Sequence, residues 1–342
     1  MIITILCIFI IITLFCLVGF SNNSKTSLAL FGTLCLILIA FTGLRDGTKV
    51  TDYESYTILF ETGGDYIEPT FVLLRYVAKF LLRGDVVVLM CLYALLAIPL
   101  KFRAIQSYSE FIFLSLLIWI GNLYLQQDFT QVRASVATGI FLFSLNSLYN
   151  HNRKYWVYVI VACLFHISSL LMIPLWLISP YKIKKQMWIG LLIISYIMAL
   201  YKIDFIDLIG LIPIEHIQSK FEMYKSFQEF GDYSANIFSL LHLSRIILWG
   251  LLLWKSDLIF LKNRYVYLLL KIMALSLVAL PLFSLNIAAA LRIMEYYGIV
   301  EIILFPMLLY TIKPTFVSKV ILVCFASMAI YMRIFISELI KV

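Results

Sequence analysis

The stretch from residue 43 to residue 56 carries the side chains best suited to chemistry in this sequence. Arg45 stands directly before Asp46, and Asp52 and Tyr56 follow within the same turn-rich run. Arginine presents a planar fork of N–H donors that matches phosphate oxygens, and a neighbouring aspartate can hold that fork in place. The pattern predicts a site for an anionic headgroup. The alternative is a solvated loop with an arginine at the depth of the lipid headgroups.

One histidine, His166, lies near the middle of the apolar stretch 155–179. An ionisable side chain inside a membrane is costly and by default suggests a function. His166 is therefore a candidate for proton transfer near neutral pH. The alternative is a neutral imidazole that hydrogen-bonds between helices.

Arginines in or beside apolar segments form the third group of candidates. His242 and Arg245 are three residues apart, so on a helix they share one face. A buried Arg245 needs an anion, which is either a ligand or the carboxylate of Glu295 or Glu301. Arg292 could in the same way pair with Glu295, which would make it part of the scaffold.

The composition of the chain, which no soluble domain has, determines the kind of structural element that positions these residues. Of 342 residues, 63% are hydrophobic and 13% are charged, whereas a soluble domain is about half apolar and about a quarter charged. The net charge of +8 is spread between apolar runs, which excludes a nucleic-acid-binding face. The six cysteines lie inside apolar runs and predict free thiols. Neither carboxylates nor histidines cluster at ligand spacing, so we expect no metal and no cofactor.

Apolar runs of membrane-spanning length predict an all-α polytopic integral membrane protein with about ten transmembrane helices, since crossing takes about 20 apolar residues. Two further stretches, 70–83 and 155–179, fit less well and predict re-entrant or partial membrane segments. We expect one transmembrane domain over residues 1–342. The predicted crossings are 2–20, 27–43, 86–100, 110–125, 132–149, 187–201, 237–254, 265–284, 293–311 and 318–340.

The charges between these crossings predict which loops face outward. Lys and Arg collect in alternate loops, which is typical of the cytoplasmic side, and Lys101 belongs to this set. The opposite loops are acidic and include Asp128. This sorting places both termini and two large loops, 44–69 and 202–236, outside the cytoplasm.

Several segments resemble a known family in the same order along the chain. Arg45-Asp46-Gly47, followed by Thr51-Asp52-Tyr53 and Tyr56, is similar to the R-D-x-x-G-T-D-x-x-Y signature of the EpsG family of Wzy-like polysaccharide polymerases. The further similar segments are Glu68, 131–137 with Arg133, Arg153-Lys154, 162–169 with His166, and Arg292 with Tyr296 and Tyr297.

The resemblance implies a glycosyltransferase that moves an oligosaccharide repeat from one polyprenyl diphosphate carrier onto a second lipid-linked repeat and releases polyprenyl diphosphate. Fixed arginines can stabilise the leaving diphosphate without a metal. The residues expected to bind diphosphate or sugar are Arg45, Arg133, Arg292, Arg245, Asp46 and Tyr56. The candidates for activating the acceptor hydroxyl are His166, Glu68 and Asp52, among which the sequence does not choose.

Two other functions fit the same residues. A transporter or flippase of a lipid-linked or anionic solute would use the cationic cavity without chemistry. A transferase of single sugars from polyprenyl monophosphate would use an acidic pair in the first external loop, here Asp46 and Asp52. The expected partners are the polyprenyl diphosphate-linked oligosaccharide, membrane lipid, and a chain-length regulator and flippase of the same pathway, with no nucleic acid. The expected location is the bacterial cytoplasmic (inner) membrane, with the active site facing the periplasm or cell exterior.

Overall fold

Helices provide the regular structure of the protein, as the apolar runs predict. The computed structural model describes residues 1–18, 24–63, 68–203 and 235–340, and no β-strand occurs within these ranges. Lipid offers backbone amides no hydrogen-bonding partner, so an apolar chain satisfies them within each segment as a helix. The predicted all-α membrane class is confirmed.

Fifteen α-helices occur in the described ranges. In chain order they are α1 (Ile2–Val18), α2 (Lys25–Gly43), α3 (Tyr53–Thr62), α4 (Pro69–Tyr76), α5 (Val86–Tyr108), α6 (Ile112–Ile118), α7 (Val132–Tyr149), α8 (Lys154–Phe165), α9 (Lys185–Leu200), α10 (Leu240–Trp254), α11 (Ser256–Phe260), α12 (Val266–Leu282), α13 (Ile287–Gly298), α14 (Glu301–Leu304) and α15 (Thr315–Tyr331). Segments of 3₁₀-helix are Gly47–Lys49, Ile167–Leu177 and Phe305–Tyr310, and π-helices are Val77–Leu81, Trp119–Thr130 and Met332–Ile336.

Among the residues that the structure describes, four helical stretches are long and apolar enough to cross a membrane. They are Lys25–Gly43, Val86–Tyr108, Ile287–Tyr310 and Thr315–Ile336. The other predicted crossings fall on shorter apolar helices, such as Ile2–Val18 and Leu240–Trp254. The protein is therefore a multi-pass membrane protein, and the number of crossings stays a prediction. Most of the predicted loop 202–236 lies outside the described residues, as do residues 64–67 of the first loop.

The chain forms two compact units. The first unit comprises Met1–Leu177 and Glu301–Val342, and the second comprises Ile178–Val300. In the first unit α5 packs against α2 and α7, and α7 packs against α8. In the second unit α12 packs against α9, α10 and α13. The single domain over residues 1–342 stays a prediction.

An ion pair in the core of the first unit contradicts the predicted sorting of charge. Lys101 and Asp128 were expected on opposite sides of the membrane, but the Nζ atom of Lys101 lies 2.8 Å from Oδ1 of Asp128, and both side chains are buried. Ser135 and the indole N–H of Trp119 also donate to this carboxylate. The prediction failed because α5 continues past residue 100 as a helix, with the charge of Lys101 neutralised by a distant element. The sequence pattern assigns Lys101 and Asp128 to loops because the two residues are 27 positions apart, and no local pattern reveals that they pair.

Candidate functional site

Arg45 follows the end of α2 and turns its guanidinium into the first unit. Only 5% of the residue is exposed. Its Nη1 donates to the carbonyl oxygen of Thr42 over 2.5 Å, and its Nη2 lies 3.1 Å from the sulfur of Met90. Within the described ranges, Nε has no hydrogen-bond partner and no carboxylate forms an ion pair with Arg45. Because a buried charge without a counter-ion is costly, an external anion would complete this environment.

Aromatic rings flank the guanidinium of Arg45. Its Cζ lies 5.5 Å from the ring centre of Tyr53 and 5.6 Å from that of Phe129, which is within the range of cation–π attraction. Gly47 packs against the ring of Tyr53, since a Cβ atom at residue 47 would lie 2.2 Å from Cε1 of that ring. Glycine therefore allows the Tyr53 ring to cover Arg45.

Asp46 has a local structural role. It is exposed, and its Oδ1 accepts hydrogen bonds from the backbone N–H and the hydroxyl of Thr48, at 3.1 and 2.7 Å. These bonds hold the pKa of the Asp46 carboxyl below its usual value and cap the Gly47–Lys49 turn. The expectation that Asp46 holds the fork of Arg45 is wrong, because this side chain caps the next turn while the carbonyl of Thr42 and the sulfur of Met90 hold the fork.

A cavity of about 630 Å³ opens beside the same loop. Its lining includes Thr48, Thr51, Asp52, Tyr53, Glu54 and Thr57. Asp52 is exposed, adopts a left-handed backbone with φ of 64°, and precedes α3. The ring of Tyr53 thus belongs both to the cavity wall and to the surroundings of Arg45.

Arg133 and Glu68 form the second charged group of the site. Glu68 precedes Pro69 at the start of α4, and Arg133 is the second residue of α7. Nη1 of Arg133 donates to Oε2 of Glu68 over 2.5 Å, with the two side chains 25% and 15% exposed. Within the described residues Oε1 of Glu68 has no hydrogen bond. This pairing brings together two residues that the sequence singled out separately.

Helix α3 connects the two arginines. The guanidinium of Arg133 lies 5.6 Å from the ring centre of Tyr56 and 5.8 Å from that of Phe71. Tyr53 and Tyr56 are three residues apart, so they lie on one face of α3, with Tyr53 against Arg45 and Tyr56 against Arg133. One short helix thereby presents aromatic rings to both cations.

His166 lies at a break in the helical path, near the start of α4. Helix α8 ends at Phe165, and His166 is extended, with φ of −157°. The backbone N–H of Ser168 donates to Nδ1 of His166 over 3.2 Å. In a neutral imidazole whose Nδ1 accepts a hydrogen bond, the proton resides on Nε2.

A hydrogen bond joins this break to the Arg133–Glu68 pair. The hydroxyl of Thr70, two residues after Glu68, donates to the carbonyl of Leu164 over 2.7 Å. The first unit therefore brings Arg45, Tyr56, Glu68, Arg133 and the His166 break into one region.

A family model described as the EpsG family matches residues 28–341. The chain belongs to the EpsG family. This family is related to Wzy-like polymerases. No curated protein and no solved structure matches the chain.

Two predicted site residues of this EpsG family chain lie in the second unit. Arg245 is buried in α10 and its Nη2 lies 3.2 Å from the hydroxyl of Ser276. Arg292 is exposed on α13 and forms no ion pair with a described residue, so its suggested pairing with Glu295 is not present. His242, beside Arg245, is 2% exposed, and neither ring nitrogen has a hydrogen-bond partner in the described part of the chain.

Some contacts in the candidate site were not predicted. Met90 and Phe129 reach Arg45 from distant elements, and no local pattern marks them. Tyr53 did have a signal, because it stands three residues before Tyr56 in the family motif. No group of three His, Cys, Asp or Glu residues capable of sharing a metal occurs among the residues that the structure describes, and metal-independent chemistry stays a prediction.

Proposed function

We propose that this EpsG family protein is a Wzy-type polymerase that transfers an oligosaccharide repeat from polyprenyl diphosphate onto a second lipid-linked repeat. The observation that carries the proposal is Arg45, a buried guanidinium with no carboxylate partner in the described ranges, beside the ring of Tyr53, a residue that lines a cavity. A diphosphate supplies the negative counter-charge that this guanidinium lacks among the described residues.

The diphosphate is the leaving group of the proposed reaction. The acceptor hydroxyl oxygen forms a bond to the anomeric carbon of the donor, the bond from that carbon to the diphosphate oxygen breaks, and the electron pair leaves with the diphosphate. A guanidinium fixed before the reaction stabilises this developing charge without reorganisation. Arg45 meets that requirement because Thr42 and the flanking rings hold its position.

Glu68 receives the proton of the acceptor hydroxyl in this proposal. Its Oε1 atom has no hydrogen bond within the described residues, while Oε2 is held by Arg133. Nδ1 of His166 accepts the backbone N–H of Ser168, so this nitrogen is not available to take the proton of the acceptor hydroxyl. Glu68 therefore serves as the general base.

The site faces the periplasm or cell exterior of a cytoplasmic membrane, where the lipid-linked repeat arrives after a flippase. A chain-length regulator would act on the same growing polymer. The loop that carries Arg45 is the region expected to face outward.

The test is polymerisation by the purified protein in lipid nanodiscs, with a cognate lipid diphosphate-linked repeat and with or without chelator. We expect an evenly spaced ladder of products on a gel that chelator leaves unchanged. Arg45→Ala should lower the rate by about 10- to 150-fold, because a hydrogen bond from a charged group contributes about 1.5–3 kcal/mol.

The matched control is Lys49→Ala, which removes an exposed cation from the same loop. It should leave the ladder unchanged. Unaltered substrate with folded wild-type protein would contradict the polymerase and favour transport or single-sugar transfer. An unchanged ladder with folded Arg45→Ala would contradict the diphosphate assignment alone.

A further inference from the structure

We propose that the cavity beside Tyr53 binds an uncharged sugar ring, a hexose or N-acetylhexosamine, as the subsite for the sugar joined to the donor diphosphate. This inference deepens the proposed function and rests on it for the identity of the donor. The cavity's volume of about 630 Å³ lies within the range of about 300–1,000 Å³ typical of small-molecule sites.

The lining offers mainly hydrogen-bond acceptors. Asp52 and Glu54 contribute carboxylates, and threonine hydroxyls contribute oxygen lone pairs. The hydroxyl of Thr57 already donates to the backbone carbonyl of Tyr53 over 3.1 Å, so towards a ligand it acts as an acceptor. A ligand with many hydroxyl donors fits this lining, and sugars have that property.

The charge of the lining selects against acidic sugars. Two carboxylates and no Lys or Arg line the cavity in the described part of the chain. A uronic acid would bring a third negative charge, and like charges close together repel. The ring of Tyr53 supplies an apolar surface against which the C–H face of an uncharged sugar can pack.

The position of the cavity matches the chemistry of a lipid-linked donor. In such a molecule the first sugar is bonded directly to the diphosphate, so the sugar subsite and the phosphate-binding cation must be neighbours. Tyr53 lines the cavity, and its ring centre lies 5.5 Å from the guanidinium carbon of Arg45. The proposed sugar subsite and the proposed phosphate site therefore share Tyr53 as a neighbour.

Saturation-transfer difference NMR on the full chain in nanodiscs tests the subsite without lipid diphosphate or turnover. The probes are methyl glycosides of glucose, galactose, N-acetylglucosamine and N-acetylgalactosamine, with methyl glucuronide as the acidic comparison, each at millimolar concentration. We expect signal for at least one uncharged glycoside and a weaker signal for the glucuronide.

Variants localise that signal. Glu54→Gln should weaken binding by about tenfold or more, since it removes a charge-assisted hydrogen bond, and Tyr53→Ala should abolish the signal. Ser55→Ala, an exposed residue of the same helix that is not among the lining residues, should leave it unchanged.

Several outcomes would overturn the inference. They are no signal from any uncharged glycoside, a stronger signal from the glucuronide, or binding that survives both Tyr53→Ala and Glu54→Gln. Polymerisation without glycoside binding would reject the subsite and keep the proposed function. Glycoside binding that follows the variants, without polymerisation, would reject the polymerase and keep a sugar site.

Discussion

Replacing Arg45 by Met tests whether the positive charge of Arg45 binds a ligand or stabilises the fold. Methionine has a volume similar to that of arginine, and its flexible side chain can occupy the space between Tyr53 and Phe129. The variant loses the charge, the hydrogen bond to Thr42 and the cation–π contacts. We expect it to lose most polymerisation activity while retaining close to normal stability.

The magnitude follows from the surroundings of the guanidinium. Burying an ion costs several kcal/mol. The hydrogen bond to the Thr42 carbonyl contributes about 1.5–3 kcal/mol, and the two ring contacts contribute about 0.5–2 kcal/mol each. These contributions nearly cancel the cost, and a volume-conserving replacement costs less than about 1.5 kcal/mol. The free energy of unfolding should therefore change by at most about 1.5 kcal/mol in either direction.

The assay pairs thermal unfolding in nanodiscs with the gel ladder. Arg133→Met is the comparison, because it leaves the partly buried carboxylate of Glu68 without its partner. We expect that variant to lose about 1–3 kcal/mol of stability, much of which Arg133→Met/Glu68→Leu should restore. If Arg45→Met instead destabilised the protein by the about 3–5 kcal/mol typical of a broken buried ion pair, or left the ladder intact, the reasoning would be refuted.

Three further variants probe the site and its support. Gly47→Ala should lower the polymerisation rate by about tenfold or more. The new Cβ atom displaces the ring of Tyr53, which exposes Arg45 to water. A wild-type rate would contradict the role of Tyr53 in covering Arg45. Glu68→Gln removes the proposed base, so it should lower kcat by about 10²–10⁴-fold. It also frees Arg133 to bind substrate, so it should lower KM. An unchanged kcat would reject Glu68 as the base. Lys101→Met should destabilise the protein by about 3–5 kcal/mol, and Lys101→Met/Asp128→Leu should recover most of that loss; equal melting of the single and double variants would contradict the ion-pair argument.

Helix positions could be predicted because in lipid each apolar segment satisfies its own backbone hydrogen bonds as a helix, so local composition indicates where a helix lies. The predicted run 132–149 coincides with α7 (Val132–Tyr149), and 27–43 lies within α2 (Lys25–Gly43). The run 86–100 was too short because Lys101 ends the apolar composition without ending the helix. The partner that neutralises Lys101 is 27 residues away in sequence, and its contact depends on packing between helices.

The site was predictable only where its contacts are local. Asp46 and Thr48 form a short-range turn motif that sequence alone can specify. Arg133 and Glu68 were each singled out, but their pairing spans 65 residues and requires the fold. Arg45 combines a local feature with a feature that requires the fold. Its position beside the membrane follows from the end of α2, whereas its burial depends on Phe129 from another element.

The different environments of the two arginines suggest how proton transfer and leaving-group stabilisation are coupled. Before reaction Arg45 is the cation without a carboxylate partner in the described ranges, whereas Glu68 neutralises Arg133. When Glu68 takes the acceptor proton in the proposed reaction, its negative charge disappears and Arg133 becomes available to the departing diphosphate. The second cation then acts only as the transition state develops. Binding that strengthens at that point raises kcat, whereas a permanently free second arginine would hold the substrate more tightly without that gain.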